Sequence, residues 1–373
     1  MDSAPPDVVA AGTLVTGEGD EPGPGWVAVA DGRVSAVGTG PPPHPPRVSG
    51  AVVVPGFVDL HQHGGNAGSF PSGDPEEAVR AVAFHRAHGT TTSVASLVTD
   101  TPSALERTVH ALSGLVDDGE LAGLHLEGPW LAAARCGAHS PSLLRDPDPA
   151  ELDRLLARGT VAMVTLAPER DGALDAVRRV VGAGGMAAVG HTDADHDTVR
   201  RAIDAGARVG THLFNAMAPL DHRRPGPAGA LLADPRVVVE IIADGVHLHP
   251  AVVDLVLAAA PGRVAAVTDA ISAAGMPDGP ARLGPLPVTV RDGIARVTGT
   301  ETLAGSTATS DVLFRTLAAS GSLARAVAAT STTPAAVLGL DDVGVLRPGA
   351  RADLVVLDDD LTVRHVRRRG RPV

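Results

Sequence analysis

The sequence contains no lysine and a single cysteine, Cys136. Without lysine, the protein can form neither a Schiff base with a carbonyl substrate nor a carbamylated lysine that bridges two metal ions. One thiol cannot form an internal disulfide, which is typical of a protein in a reducing compartment. These absences exclude two kinds of active site and predict a cytoplasmic protein.

Long apolar runs and long basic runs are also missing. No stretch of about 18 apolar residues lacks a charge or a turn former, so we predict no membrane span. The amino terminus has an acidic residue and prolines, where a secretory signal would need a basic start and an apolar run. The net charge is -12 and the basic tail 364–369 is short, so nucleic acid is not an expected partner.

The chain has 373 residues, which suits a barrel of roughly 250 residues with a smaller module beside it. Short strand patterns fill residues 1–54, with a hairpin turn at Asp31-Gly32, and return in residues 341–373. We predict that the two chain ends together form a small β-sandwich domain, and that residues 55–340 form the larger domain.

The larger domain alternates short apolar runs with helical patterns, which is typical of a parallel sheet. The predicted strands are 53–59, 91–97, 123–127, 161–166, 187–191, 209–213, 237–243 and 264–268. Eight such units indicate an α/β protein with a closed (β/α)8 TIM barrel. In these barrels the active site lies at the carboxyl ends of the strands.

Metal-binding side chains fall at these strand ends. They are His61, His63, Glu127, His191, His212 and Asp269. Because residues i and i+2 of a strand face the same side, His61 and His63 can bind one ion together. Imidazoles and carboxylates favour Zn²⁺, with Fe, Mn, Co or Cd as alternatives, and exclude an iron–sulfur cluster. Six ligands exceed the needs of one tetrahedral ion with an open position, so we predict one or two divalent metals per subunit.

Several motifs, in one order along the chain, resemble a known family. The segment 55–64, PGFVDLHQHG, is similar to the first-strand signature of the amidohydrolase superfamily, and 348–354, PGARADL, to its closing strand. Six further segments resemble motifs of the N-acetylglucosamine-6-phosphate deacetylases. They are 125–129 (HLEGP), 137–139 (GAH), 190–194 (GHTDA), 211–217 (THLFNAM), 244–247 (DGVH) and 267–270 (VTDA). The match runs from about residue 55 to residue 338.

This resemblance implies a division of the metal site. Glu127, His191 and His212 would hold a metal that is always present, while His61 and His63 would hold a second ion, with Glu127 bridging the two. The family has a glutamate where many superfamily members have a carbamylated lysine, which agrees with the absence of lysine here. His125, two residues before Glu127, is predicted to support a ligand rather than to bind metal.

The reaction implied is hydrolysis of N-acetyl-D-glucosamine 6-phosphate to D-glucosamine 6-phosphate and acetate. The metal would make water acidic enough to attack at neutral pH. Asp269 would accept a proton from the attacking water and return it to the leaving nitrogen. His139, with the metal, would polarise the acetyl carbonyl and stabilise the tetrahedral oxyanion.

The resemblance also implies a set of substrate contacts. The predicted substrate-binding residues are Ala138, His139, Asn215, Ala216, Arg223, His247 and Leu303. Arg223 and His247 would bind the phosphate, with backbone N–H groups of the 215–216 segment, and Leu303 would pack on the acetyl group. Cys136 lies on a predicted mobile loop and is a candidate for a lid contact. The family's phosphate-binding arginine can come from the neighbouring subunit, which implies a homodimer.

Three alternatives remain open at this point. Another N-acetylated amino sugar phosphate, such as N-acetylgalactosamine 6-phosphate, would fit the same motifs. A cyclic amidase such as a dihydroorotase usually needs the carbamylated lysine that this chain cannot supply. A non-catalytic scaffold on the same fold would typically lose metal ligands, and here every expected ligand is present.

Overall fold

The computed structural model describes residues 7–320 and 322–373. Its largest sheet has eight parallel strands that lie in the same order in the sheet as in the sequence. These strands are Phe57–Gln62, Thr90–Leu97, Gly123–Glu127, Val161–Leu166, Met186–Val189, Val209–Gly210, Val238–Ile241 and Val264–Ala266. Each overlaps one predicted strand, and the sheet confirms the predicted TIM barrel.

Backbone hydrogen bonds close the barrel between its first and last strands. The N–H of Asp269 donates to the carbonyl of His61 at 2.8 Å, and the N–H of His63 donates to the carbonyl of Ala270 at 2.7 Å. These bonds lie just past the last strand, at the carboxyl ends of the strands. Closure therefore joins the segment that carries Asp269 directly to the segment that carries both histidines.

The first barrel strand differs from its prediction. The predicted strand 53–59 combines the end of one element, Val48–Pro55, with the start of another, Phe57–Gln62, and Gly56 separates them. A Cβ at Gly56 would lie 2.2 Å from Thr91 Oγ1, so only glycine fits there. The apolar pattern is continuous across this break, and periodicity alone could not reveal it.

The helices alternate with the strands. They are Pro75–Ala87, Pro102–Asp117, Pro149–Leu156, Ala173–Gly182, His196–Ala205, Gly226–Ala233, Pro250–Ala259 and Ser310–Ala319, followed by Leu323–Val327, the π-helical Ala328–Thr332 and Thr333–Val337. Several begin at proline, whose missing N–H has no helical partner in the first turn. Thr101, Asp148 and Asp195 cap three of them by accepting a backbone N–H.

A second sheet has seven strands and draws on both chain ends. Its strands, in sheet order, are Arg371–Pro372, Val363–Arg368, Leu354–Leu357, Val48–Pro55, Asp7–Leu14, Gly23–Ala30 and Arg33–Thr39. Val54 pairs with Val355, which joins the ends of the chain in one sheet as predicted. The predicted hairpin turn is also present, with Asp31 and Gly32 at φ of 50° and 75°, as a primed turn requires.

Two smaller sheets complete the strands. Gly279–Leu283, Leu286–Arg291 and Ile294–Val297 form an antiparallel sheet, and Gly64–Gly65 pairs with Gly68–Ser69. Short 3₁₀ turns cover Phe70–Ser72, Ala133–Arg135 and Pro141–Leu143. Among the helices of the described residues, none is both long and apolar enough to cross a membrane.

The chain divides into two compact units. One contains the described residues up to Asp59, with His85–Thr92 and Thr309–Val373, and it includes the seven-stranded sheet. The other contains Leu60–Phe84 and Ser93–Ala308, and it includes every predicted metal ligand. The predicted bounds of the two domains stay a prediction.

Candidate metal centre and substrate cavity

The six predicted ligands lie together at the carboxyl ends of the barrel strands, and all are buried. His61 and Glu127 belong to their strands, while the other four follow a strand by one to three residues. His191, His212 and Asp269 have positive φ values of 46°, 31° and 49°. Such strained backbone persists only where surrounding contacts hold it, and it concentrates at functional sites.

Glu127 lies at the middle of the cluster and contacts histidines through both carboxylate oxygens. Its Oε1 is 3.0 Å from Nε2 of His191 and 3.0 Å from Nε2 of His212. Its Oε2 is 3.3 Å from Nε2 of His63 and 3.5 Å from Nε2 of His61. One carboxylate therefore joins two histidine pairs, which is the arrangement expected of a bridging ligand.

Asp269 closes one side of this cluster. Its Oδ1 lies 3.1 Å from Nε2 of His63 and 3.5 Å from Nε2 of His61. Asp269 therefore faces the pair that shares Oε2 of Glu127.

The spacing and tautomers of these groups fit divalent metal ions. Two ligands of a tetrahedral zinc, each about 2.05 Å from the ion, lie roughly 3.3 Å apart, close to the separations observed. The Nδ1 of His63 lies 3.1 Å from the carbonyl of Ser96, and the Nδ1 of His191 lies 2.9 Å from the carbonyl of Arg135. A carbonyl only accepts, so Nδ1 carries the proton and Nε2 is the nitrogen that can bind metal.

Electrostatics lead to the same conclusion. Burial by itself would lower the pKa of His63, but Asp269 and Glu127 outweigh it and raise that pKa to about 9. Burial would raise the pKa of Glu127, yet the surrounding histidines, His61 first, hold it well below its usual range. The carboxylates thus favour positive charge on the groups between them, and a bound metal ion would take the place of the protons on the histidines.

His139 differs from the other histidines of the cluster. Its Nε2 lies 3.4 Å from Oε2 of Glu127. By distance alone, His139 could hold a metal ion together with Glu127 and His191. However, the backbone N–H of Thr99 donates to its Nδ1 at 3.3 Å, so Nε2 carries the proton. Burial also lowers the pKa of His139 to about 4, which keeps the ring neutral. A neutral N–H donor suits a developing oxyanion better than a metal.

A cavity of about 320 Å³ opens onto the cluster. That volume is at the lower end of the range for small-molecule sites. Predicted residues in its wall are His63, Glu127, Ala138, His139, His191, His212, Asn215, Ala216, His247, Asp269 and Leu303. Ile242 and Leu283 add apolar surface that the sequence motifs did not indicate. The N–H of Asn215 donates to the carbonyl of His212 at 3.0 Å, so it is engaged within its own turn.

His247 lies in the wall of this cavity, and Asp244 stabilises its positively charged form. Its Nδ1 lies 2.8 Å from Oδ2 of Asp244, whose other oxygen accepts the backbone N–H groups of Val246 and His247 at 2.9 and 2.8 Å. Burial would lower the pKa of His247, but Asp244 outweighs it and raises that pKa. A protonated His247 is a suitable partner for an anionic group.

Arg223 and Cys136 do not line the cavity that opens onto the metal cluster. Arg223 lines a different cavity, of about 820 Å³, together with Arg224 and Asp193. Arg135 lines both cavities and pairs with Asp193 at 2.7 Å. Cys136 is a half-buried free thiol that follows the 3₁₀ turn Ala133–Arg135.

Three buried polar residues surround the ligands. His125, which sequence reasoning predicted as a supporting residue, contacts Ser96 Oγ at 2.9 Å and Thr165 Oγ1 at 2.8 Å, and its ring meets that of His61 edge-on at 4.6 Å. The sequence-based prediction did not include Thr99 and Glu240. A sequence feature could have indicated each of them. Thr99 follows a barrel strand by two residues, and Glu240 is the only charged residue in an apolar predicted strand.

The amidohydrolase family matches residues 52–373. The chain belongs to the amidohydrolase family. Its ordered motifs and its relatives place this amidohydrolase in the branch of the N-acetylglucosamine-6-phosphate deacetylases. It is therefore a hydrolase of an amide bond.

Relatives and solved structures resemble this amidohydrolase over most of its length. N-acetyl-D-glucosamine-6-phosphate deacetylase from Mycobacterium smegmatis, solved as a mutant in complex with N-acetyl-D-glucosamine-6-phosphate, is 52% identical, with a TM-score of 0.96 and 99% of each chain covered. N-acetylgalactosamine-6-phosphate deacetylase of Escherichia coli O157:H7 is 36% identical, covering 92% of this chain and 94% of its own. N-acetylglucosamine-6-phosphate deacetylase of Homo sapiens is 38% identical, covering 84% and 81%.

Proposed function

We propose that this chain is a metal-dependent deacetylase that converts N-acetyl-D-glucosamine 6-phosphate and water to D-glucosamine 6-phosphate and acetate. The observation that carries the proposal is one cavity lined by Glu127, Asp269, His139 and His247. It combines a metal-binding cluster, a carboxylate base, a neutral N–H donor and a cation. The Mycobacterium smegmatis enzyme, 52% identical, was solved with this sugar phosphate bound.

A second candidate substrate is N-acetylgalactosamine 6-phosphate. The Escherichia coli relative that covers 92% of this chain is a deacetylase of that sugar phosphate. The two sugars differ only in the configuration of one hydroxyl group, and both present the same acetamide and phosphate. The metal cluster and His247 serve either substrate, so the hydroxyl contacts decide between them.

Glu127, His191 and His212 would hold one metal ion, and His61 and His63 a second one, with Glu127 bridging. Zn²⁺ is the proposed native ion, with Fe, Mn, Co or Cd as alternatives, because nitrogen and oxygen ligands suit these ions. When bound, such an ion lowers the pKa of water towards neutrality and withdraws electrons from a carbonyl oxygen.

Asp269 performs both proton transfers in this proposal. The charge of His61 and the hydrogen bond that Asp269 accepts from His63 outweigh burial and lower the pKa of Asp269 to about 2, so it is ionised at neutral pH. It accepts a proton from the attacking water as the carbon–oxygen bond forms. It then delivers that proton to the amide nitrogen as the carbon–nitrogen bond breaks, since an amine leaves only when protonated.

His139 and the apolar part of the cavity wall contact the acetyl group in this proposal. The Nε2–H of His139 donates to the carbonyl oxygen and strengthens that bond as negative charge develops. Leu303 packs on the methyl group, beside Ala138. A propionyl group would therefore be a poorer substrate than an acetyl group.

The phosphate is bound by His247 from one subunit and Arg223 from another. This part of the proposal is supported by the position of Arg223, which lines a different cavity from the one that His247 lines. It requires a homodimer. Mixing Arg223→Ala and Asp269→Asn subunits tests it, because a mixed dimer regains one complete site only if the arginine acts across the interface.

We also propose a division into two domains and a cellular compartment for this protein. Residues 1–54 and 341–373 form the small domain and residues 55–340 the barrel domain. The cytoplasm is the proposed compartment, because the single thiol Cys136 suits a reducing environment.

The function is tested by acetate release. Purified protein is incubated with N-acetylglucosamine 6-phosphate, N-acetylgalactosamine 6-phosphate or unphosphorylated N-acetylglucosamine, before and after metal removal by a chelator. Metal-dependent acetate release from N-acetylglucosamine 6-phosphate alone is the expected result. Release without a phosphate preference would remove the phosphate assignment, and no release from any of them with metal bound would refute the deacetylase.

A further inference from the structure

Glu240 lies beside the histidine cluster on the seventh barrel strand, Val238–Ile241, and its side chain is fully buried. One carboxylate oxygen, Oε2, lies 3.2 Å from Nδ1 of His61. The same oxygen accepts the backbone N–H of His212 at 3.3 Å. A single atom therefore contacts both histidine pairs that Glu127 joins from the other side.

The contact with His61 determines which ring nitrogen can bind metal. A carboxylate only accepts hydrogen bonds, so the proton of His61 lies on Nδ1. The Nε2 atom then faces Oε2 of Glu127 and Oδ1 of Asp269, each at 3.5 Å. An anionic partner also makes the imidazole a more basic, stronger ligand.

The contact with His212 supports a strained turn. His212 has a φ of 31°, a conformation that residues other than glycine rarely adopt. Its N–H donates to the Glu240 side chain, and the next N–H, of Leu213, donates to the Glu240 carbonyl at 2.8 Å. Two successive peptide groups of this turn are thus held by one residue.

The other carboxylate oxygen indicates that Glu240 does not stabilise the fold. Among the described residues, Oε1 of Glu240 is buried and has no hydrogen-bond partner. A buried carboxylate with an unsatisfied oxygen destabilises a fold relative to an apolar side chain of similar size. The position is therefore better explained by what Oε2 does for the two histidines.

We propose that Glu240 is a positioning residue that couples the two halves of the metal centre, by setting the tautomer of His61 and the backbone of His212. This role rests on the proposed metal-dependent function. Loss of the charge weakens metal binding at the His61 and His63 half directly, and it loosens the His212 half through the backbone.

The test is Glu240→Gln, which keeps the side-chain volume and removes the charge. We expect metal affinity to fall by about 10- to 100-fold, measured by chelator competition with Zn²⁺. The visible spectrum of the Co²⁺-loaded protein should change, since it reports ligand geometry. The kcat should fall while KM for the sugar phosphate stays near that of the wild type.

Glu151→Gln is the matched control. Glu151 is also a buried glutamate, and its Oε2 accepts from Nε of Arg145 at 3.0 Å, outside the metal cluster. This variant should lower the melting temperature and leave the Zn²⁺ affinity and the Co²⁺ spectrum unchanged. If Glu240→Gln behaves in the same way, the positioning role is overturned.

A second variant covers the case in which Glu240→Gln does not fold. Glu240→Asp keeps the charge on a side chain that is shorter by one methylene group, so the carboxylate lies farther from His61 and His212. Weakened Zn²⁺ affinity with a native fold would support the positioning role. Wild-type affinity in a folded Glu240→Asp would overturn it. Wild-type protein that binds no divalent metal is a separate result, because it refutes the proposed function itself.

Discussion

The backbone N–H of Thr99 donates to Nδ1 of His139 at 3.3 Å, and the hydroxyl group of Thr99 lies 2.9 Å from the same nitrogen. Because a backbone N–H cannot accept, this contact leaves the proton of His139 on Nε2, which faces the cavity. The relationship separates His139 from His63 and His191, whose Nδ1 atoms carry the proton instead. One residue outside the reaction thus determines that His139 donates a hydrogen bond and does not bind metal.

Replacing Thr99 by valine should lower kcat by about tenfold, because the hydroxyl contact to Nδ1 is lost while the backbone N–H remains. The ¹⁵N chemical shifts of His139 should show a larger share of the Nδ1–H tautomer. KM and metal content should stay unchanged. If the variant had a wild-type kcat although the tautomer of His139 had shifted, the tautomer would not matter for the reaction and the prediction would be wrong.

Asp269→Asn should reduce kcat by about 10²- to 10⁴-fold, because the amide cannot accept the proton of the attacking water. The asparagine keeps the shape of the side chain, so KM should change little. Metal content must be measured in the same samples, since Asp269 lies 3.1 Å from Nε2 of His63. Normal turnover with metal bound would mean that another group is the base.

His247 should make substrate binding depend on pH. Asp244 raises the pKa of His247 above its ordinary value of 6.5. His247 therefore keeps its positive charge to a higher pH than an ordinary histidine, and the attraction for phosphate is lost as the pH rises through that higher pKa. We expect KM for the phosphorylated substrate to increase at alkaline pH.

Two comparisons make the His247 prediction specific. Asp244→Asn should move the rise in KM to lower pH, because it removes the carboxylate that stabilises the charged ring. Unphosphorylated N-acetylglucosamine should show no such rise. The assignment would be wrong if both substrates showed the same pH profile.

Asp311 should contribute pH-dependent stability. Burial would raise its pKa, but hydrogen bonds from His88 and Thr309 outweigh burial and lower the pKa to about 2, from an ordinary 3.8. The lowered pKa stabilises the folded state above about pH 4, and this contribution disappears as the pH falls towards 2. Asp311→Asn should cost about 2 kcal/mol of unfolding free energy at pH 7, measured by urea denaturation.

An exposed aspartate serves as the control for Asp311. Asp153 pairs with Arg179 at 2.9 Å, but its side chain is 58% exposed. Solvent screens such a pair, so Asp153→Asn should change stability little at any pH. Equal losses in both variants would show that the burial of Asp311 has no special effect.

Much of the site could be predicted from the sequence because it follows local rules. The alternation of side chains along a strand puts His61 and His63 on one side, and the barrel rule puts Glu127 at the same end. Both rules use only positions near each other in the chain, together with the count of eight strands. The fold class and the candidate metal ligands could therefore be predicted without long-range information.

The tertiary structure decided the orientation of these groups. Thr99 reaches His139 across 40 residues and Glu240 reaches His212 across 28, contacts that exist only once neighbouring strands pair. The positive φ values of His191, His212 and Asp269 likewise depend on the hydrogen bonds that surround them after closure. Residue type and spacing determined which atoms are available, whereas tautomers, strain and the separation of Arg223 from His247 depend on the packed barrel, because only packing sets distances between segments far apart in sequence.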